Sequence, residues 1–192
     1  MDFFLWDTGG DVDDDSLVFI EDPPEGMGLR AAKLALGKSA QKHVPEEPVI
    51  RLRKENRGLE LPGFIGNTVG LLILSKPGVE VVRQMCPNER LEIFPFVILN
   101  HKKRVHSRDY SIVNPLGGFD CLDEAASGVT RDAGGDVKSI AKYVLSKPKI
   151  DKAPHLFRIR EKPVEYVFSR ALGRRFNEAG VTNVWGNEMP QV

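Results

Sequence analysis

The sequence predicts an α+β fold, mainly antiparallel sheet with two short strand–helix–strand units packing their helices on it. Three observations predict it. The apolar run Leu71-Leu72-Ile73-Leu74 leads through Ser75 into apolar residues at helical spacing. Val164-Glu165-Tyr166-Val167-Phe168 leads in the same way through Ser169 into a second such spacing. Between the two lies a long stretch of strand-like residues broken by turns. Each helix carries one apolar stripe, which is hidden only by lying on a sheet.

The elements follow in order. Phe3-Phe4-Leu5-Trp6 reads as a strand ended by Thr8-Gly9-Gly10, and Leu17-Val18-Phe19-Ile20 is a second apolar run before Pro23-Pro24. Residues 21–48 look loosely packed, with a short helix over 28–36, and residues 49–53 alternate as a half-buried strand does. After the buried strand at 71–74, Ser75 is an N-cap type, Pro77 suits a first helical turn, and Val79, Val82 and Met85, widened by Val81, form the apolar face that Pro87 ends. Residues 91–99 are strand material bent at Pro95, Lys102-Lys103-Arg104 is a hairpin tip, and residues 110–115 pair back. Residues 119–123 run to a turn, 127–136 form a glycine-rich loop, and a strand is expected around 140–144. In the second unit Leu172, Phe176 and Ala179 recur at helical spacing, Gly180 caps the helix end, and 181–185 return as a strand. Superposing Ser75 on Ser169 sets Val82 against Phe176 and Met85 against Ala179, so the two units share a pattern.

Length and composition narrow the function classes. A chain of 192 residues hides about 70% of its unfolded surface, enough for a single domain over 1–192, with the acidic segment 1–48 as a loosely packed subdomain. The longest apolar run, 69–74, falls far short of the roughly 18 residues of a membrane span. No basic n-region precedes the first apolar stretch, so no secretory signal is read there, and a cytoplasmic protein is expected. Formal charge is zero, but residues 1–30 hold nine acids against one base, a balance of −8 that the remainder offsets. Bases gather at Lys102, Lys103, Arg104 and Arg108, and again at Arg170, Arg174 and Arg175.

Few residue groups suggest chemistry. Asp11-Val12-Asp13-Asp14-Asp15 opens like a calcium loop, but Ser16 and Asp22 stand where an EF-hand needs glycine and glutamate, which favours a solvated turn. His101 and His106 lack a third metal donor nearby. Cys86 lies at a helix end and Cys121 among apolar neighbours, so neither reads as an activated thiol, and neither serine cap sits in a nucleophile elbow. No glycine pair is followed by the Lys-Ser or Lys-Thr of a phosphate loop. The neutral chain and the lack of aromatics in the basic tip argue against nucleic acid. Arg158 is expected to be a buried ion-pair partner of Asp120 or Asp123. No catalytic residue, metal or cofactor is assigned.

The order of several motifs does carry a resemblance. Leu71-Leu72-Ile73-Leu74-Ser75, Phe94-Pro95-Phe96, Tyr110-Ser111-Ile112-Val113-Asn114-Pro115 and Asp120-Cys121-Leu122-Asp123 precede His155-Leu156-Phe157-Arg158-Ile159, Tyr166-Val167-Phe168-Ser169 and Ala179-Gly180-Val181-Thr182. Over residues 60–192 this order resembles the immunity proteins of bacterial polymorphic toxin systems typified by a Myxococcus xanthus protein. The family's usual glycine after the Phe-Arg strand is missing near Glu161-Lys162-Pro163, and a later one is replaced by Asn183, a residue that tolerates the left-handed backbone. The resemblance implies no enzyme. It implies a protein encoded beside a secreted toxin, which binds the cognate toxin domain and protects the producer and its kin in interbacterial competition. It supplies no catalytic residues. The acidic string Asp11, Asp13, Asp14 and Asp15 could then imitate phosphate before a basic cleft, and Trp6, Trp185 and Arg175 are anchor types for such an interface. The rival readings are a small-molecule enzyme, marked by a deep polar pocket, and a nucleic-acid-binding regulator, marked by a continuous basic face. Apolar edge strands also leave room for a homodimer.

Overall fold

The computed structural model describes residues 1–55 and 58–192. It is α+β, with two four-stranded sheets and one small hairpin among the described residues. The strands are β1 (Phe3–Trp6), β2 (Val49–Arg51), β3 (Leu72–Ser75), β4 (Leu91–Leu99), β5 (Val105–Pro115), β6 (Thr130–Arg131), β7 (Val137–Ser139), β8 (Leu156–Ile159), β9 (Lys162–Ser169) and β10 (Gly186–Glu188). A 3₁₀ turn (Gly28–Ala31) runs into α1 (Ala32–Ala35), followed by α2 (Lys76–Met85), α3 (Glu124–Ser127), α4 (Lys147–Ile150) and α5 (Arg170–Glu178).

The two units share a topology. One sheet has the order β2-β4-β5-β3, and β5 is antiparallel to both β3 and β4. The other has the order β10-β1-β9-β8, and β1 is antiparallel to both β9 and β10. The strands before and after each helix, β3 and β4 about α2 and β9 and β10 about α5, are therefore parallel, with one antiparallel strand between them. Each helix must cross over that strand, and α2 and α5 pack on one another.

Alternation along the strands separates three apolar clusters. Leu72, Leu74 and Val113 of one sheet meet Trp6, Tyr166 and Phe168 of the other, together with Val82 of α2 and Leu172 and Phe176 of α5. Ile73, Phe96, Ile98 and Ile112 face away and are covered by Val18, Ile20, Leu34 and Ala40 of the N-terminal segment. Phe3, Phe157 and Val167 face away on the other side, under Leu122, Leu145 and Ile150.

Several local expectations are corrected. Residues 181–185 do not form the returning strand; β10 begins at Gly186, because β1 pairs with the polar Gly186-Asn187-Glu188 backbone. Residues 140–144 are not a strand. The hairpin partner of β6 is Val137–Ser139, and Leu145 makes only single bridges, to Leu122 and Gln191. The run at 17–20 likewise makes two isolated bridges, to Glu60 and Asn67. Ser169 caps α5, accepting from Leu172 N–H at 3.1 Å, whereas Ser75 makes no such bond and α2 begins with Pro77 in its first turn. Gly180 closes α5 with φ of +68°, where Val181 N–H reaches back to the Phe176 carbonyl.

Arg158 does not pair with Asp120 or Asp123. Asp120 binds Lys149 and Arg160, and Asp123 caps α3. Arg158 is instead 1% exposed, and its guanidinium donates to the carbonyls of Pro115 (2.9 Å), Ala35 (2.7 Å), Pro163 (2.6 Å) and Leu34 (2.6 Å), to Asn114 Oδ1 (3.2 Å) and to the Tyr166 hydroxyl (2.6 Å). Burial lowers its pKa from the usual arginine value. Asn114 passes the network on to Glu92 at 3.1 Å, and Glu92 also accepts from Ser39 and the Ala40 N–H. Partial burial raises the Glu92 pKa, but these hydrogen bonds outweigh it and hold the carboxyl below its ordinary value. Gly37 makes room for this arrangement. Its φ is +63°, and a Cβ there would stand 2.6 Å from Arg158 Cδ.

Arg158→Met should cost about 3–5 kcal/mol, because it strands buried acceptors on three segments. Gly37→Ala should be of similar severity, and urea unfolding measures both. Glu92 has a depressed folded pKa, so its contribution is complete above the unfolded value of about 4.3 and is lost as pH falls through the folded one. Glu92→Gln should therefore flatten the acid-side decline of the urea midpoint below about pH 4.5.

Candidate binding groove

The acidic segment lies against the second unit. Its backbone is sewn to residues 60–67: Val18 N–H donates to the Glu60 carbonyl (2.8 Å), Ile20 N–H to the Gly66 carbonyl (3.0 Å), and Asn67 N–H to the Thr8 carbonyl (2.8 Å). Its turns close on their own side chains. Asp13 N–H donates to Asp11 Oδ1 at 3.2 Å, and the Ser16 N–H and hydroxyl both donate to Asp14 Oδ1. Those two bonds, the hydroxyl's the larger, hold the Asp14 carboxyl below the usual range.

Asn183 joins this loop to the connection after α5. Its backbone is left-handed, φ +62°, as expected of asparagine at that turn. Its Oδ1 accepts from Asp11 N–H (2.7 Å) and the Trp185 indole N–H (3.2 Å), while its amide donates to the Phe64 carbonyl (2.9 Å).

Two depressions meet here. One, of about 460 Å³, is lined by Asp11, Asp14, Asp15 and Glu55 with Val12 and Phe19. The other, of about 490 Å³, is lined by Phe168, Phe176, Val181, Val184 and Trp185. Asp11, Asp14, Leu17 and Asn183 are walls of both. The result is one groove with an acidic end and an apolar end.

Several acids outside this groove are paired with cations. Elsewhere Asp2 and Glu188 pair with Arg170, Asp22 with Arg53, Glu25 with Arg51, Glu124 with Arg131 and Glu47 with Arg108. Among the described residues none of Asp11, Asp13, Asp14 or Asp15 pairs with a cation.

Of the residues expected to act together, Asp11, Asp14, Asp15 and Trp185 line the groove, and Asp13 is exposed on the same loop without lining it. Trp6 does not belong with them. It is 3% exposed, packed on Phe64, Phe168 and Phe176, because β1 is an inner strand of its sheet. Arg175 bonds to Glu178 within α5 and lines neither depression. Asn183 and Leu17, which shape the groove, carry no chemical signature in the sequence; Asn183 stood out there only as a glycine replacement.

Nucleophile candidates are spent on structure. Ser169 Oγ lies 2.7 Å from His155 Nδ1, but the residue is fully buried and its hydroxyl caps α5. Burial pushes the thiols of Cys86 and Cys121 up to about 12. Among the described residues no three His, Cys, Asp or Glu side chains are grouped to hold a metal ion, and no helix is long and apolar enough to cross a membrane.

Compared with known protein families, residues 13–191 match the Immunity protein family (Imm11). The chain belongs to the Imm11 immunity protein family. No curated protein matches it. The Imm11 match spans most of the acidic loop, both helix units and the connection that carries Asn183 and Trp185. Family membership supports an immunity role and a toxin protein as partner for this Imm11 chain.

Asn183→Gly should keep the left-handed turn but lose all three side-chain bonds. Faster amide exchange at Asp11 and a loss of about 1–3 kcal/mol in urea unfolding are expected, with a larger loss for Asn183→Val.

Proposed function

We propose that this Imm11 chain is a bacterial immunity protein that binds and neutralises a cognate secreted toxin, protecting the cell that makes it and its kin. It acts in the cytoplasm by non-covalent fit, covering the toxin's active site or a surface beside it. The single observation carrying this reading beyond family membership is the groove, where Asp11, Asp14 and Asp15, unpaired with any cation among the described residues, border an exposed aromatic wall. Such a surface has unspent charge and unburied apolar area, and association with a complementary partner uses both. The buried Ser169, whose hydroxyl caps α5, and the buried thiols weigh against a reaction of its own.

Co-expression with the toxic domain encoded beside its gene tests the proposal. Growth should be restored, and the two proteins should co-purify at a fixed ratio. A toxic domain that kills undiminished, with no complex formed, overturns the reading. So does turnover of a metabolite by the isolated chain that one polar substitution abolishes.

A further inference from the structure

We propose that the groove takes a segment of the toxin partner in which a bulky apolar side chain stands next to one or two basic ones. This rests on the immunity reading and specifies its chemistry. The apolar side chain would sit against Phe168, Phe176, Val181 and Trp185, and the cations among Asp11, Asp14 and Asp15.

Four features of the groove lead to this occupant. The two depressions share Asp11, Asp14, Leu17 and Asn183 as walls, so whatever fills one is within a side chain's reach of the other. The apolar end is floored by core residues, and its outer wall, Trp185, is 53% exposed while its indole N–H is tied to Asn183. That aromatic is held in place before binding, so little freedom is lost when it is covered. The acidic end is equally fixed, since the loop's backbone bonds to residues 60–67 and its turns close on Asp11 and Asp14. Finally, the aspartates are uncompensated by any cation among the described residues, whereas several acids on other faces, Asp2, Asp22 and Glu124 among them, are paired.

Charge excludes an anionic segment or a nucleic acid, whose phosphates would meet four carboxylates. A bare metal ion is disfavoured because these side chains do not converge as a ligand group. A second copy of this chain does carry a matching element, the tip Lys102-Lys103-Arg104 beside the exposed Val105. Joining that tip to the groove would be head-to-tail contact, which closes only as a ring and otherwise grows as a filament. A separate partner meets no such constraint.

The test uses the full chain and the purified toxic domain encoded beside its gene. Calorimetric titrations are run between about 50 and about 300 mM salt, a range over which screening of exposed charge rises steeply. Asp11→Asn, Asp14→Asn and Asp15→Asn are combined, because an amide oxygen still accepts the turn hydrogen bonds. This variant should weaken binding by about tenfold or more at low salt and flatten its salt dependence. Trp185→Ala should weaken binding by about tenfold at every salt concentration. Lys102→Ala combined with Lys103→Ala should change nothing. Unaltered thermal midpoints confirm that each variant is folded, and Trp185→Phe, which keeps an aromatic wall, should recover most of the loss. Wild-type neutralisation with both groove variants binding within about twofold of wild type overturns the inference and leaves the immunity reading standing. Concentration-dependent self-association that the groove and tip variants alike abolish, with toxin binding intact, also overturns it. A wild-type chain that neither binds nor rescues overturns both.

Discussion

The Arg158 guanidinium is the interaction on which the rest of the architecture depends. It rises from β8 of one sheet and bonds the end of β5 in the other, the last turn of α1, and its own neighbour β9. Among the described residues no carboxylate meets it directly. A buried charge without a counter-ion is costly, and only a full set of well-placed acceptors offsets that cost. Carbonyl oxygens at strand and helix ends are such acceptors, since those ends leave backbone groups without partners. One side chain thus satisfies orphan carbonyls from three segments. The Tyr166 ring lies 4.0 Å beneath it, and the Tyr166 hydroxyl donates onward to the Gly70 carbonyl at the entry to β3. The sheets and the N-terminal cover are joined at the same point.

The acidic loop follows an opposite logic. Around Arg158, polar groups are buried and satisfied. Along residues 11–15, the turns close on Asp11 and Asp14 through hydrogen bonds, but the charges are left to solvent. A rigid loop with free charge orders little on association and steers an oppositely charged partner toward it. Asp11, Asp14 and Asp15, unpaired with any cation among the described residues and joined by Glu55, give this groove its negative field.

The two helix units were legible in the sequence because their signals are local. A serine, a proline in the first turn of α2, Gly180 after α5 and one apolar stripe per helix all agree, and Val82 and Phe176 occupy matching core positions. The strands at 140–144 and 181–185 were misread because apolar and β-branched content reports burial rather than ladder pairing. Val144, Leu145 and Val181 are buried, yet the ladder beside β1 belongs to Gly186-Asn187-Glu188, whose side chains give no strand signal. Arg158 was legible as a buried cation but not in its partners, since backbone carbonyls have no residue type to recognise. Trp6 was read by type as an anchor. The unbroken run Phe3-Phe4-Leu5-Trp6 is better suited to a strand apolar on both faces, and that is where it sits. The aspartates of the groove were legible as charge, and their position against Trp185 depends on a contact 172 residues apart in sequence, Asp11 N–H to Asn183.

The shared topology explains why the groove lies where it does. In each unit the strands flanking the helix are separated by an antiparallel strand, so the chain leaving the helix must pass that strand before it can pair. Over that passage the backbone has no ladder to join and its side chains are free to line a surface. After α2 the passage holds Asn88, Glu89 and Arg90, which line a depression of about 270 Å³. After α5 it holds Val181 to Trp185, and the depression there is larger because the acidic loop, fixed through Asn183, forms a second wall. The apolar residues that suggested a strand are retained for the wall they build, and β10 is delayed to the polar residues beyond them.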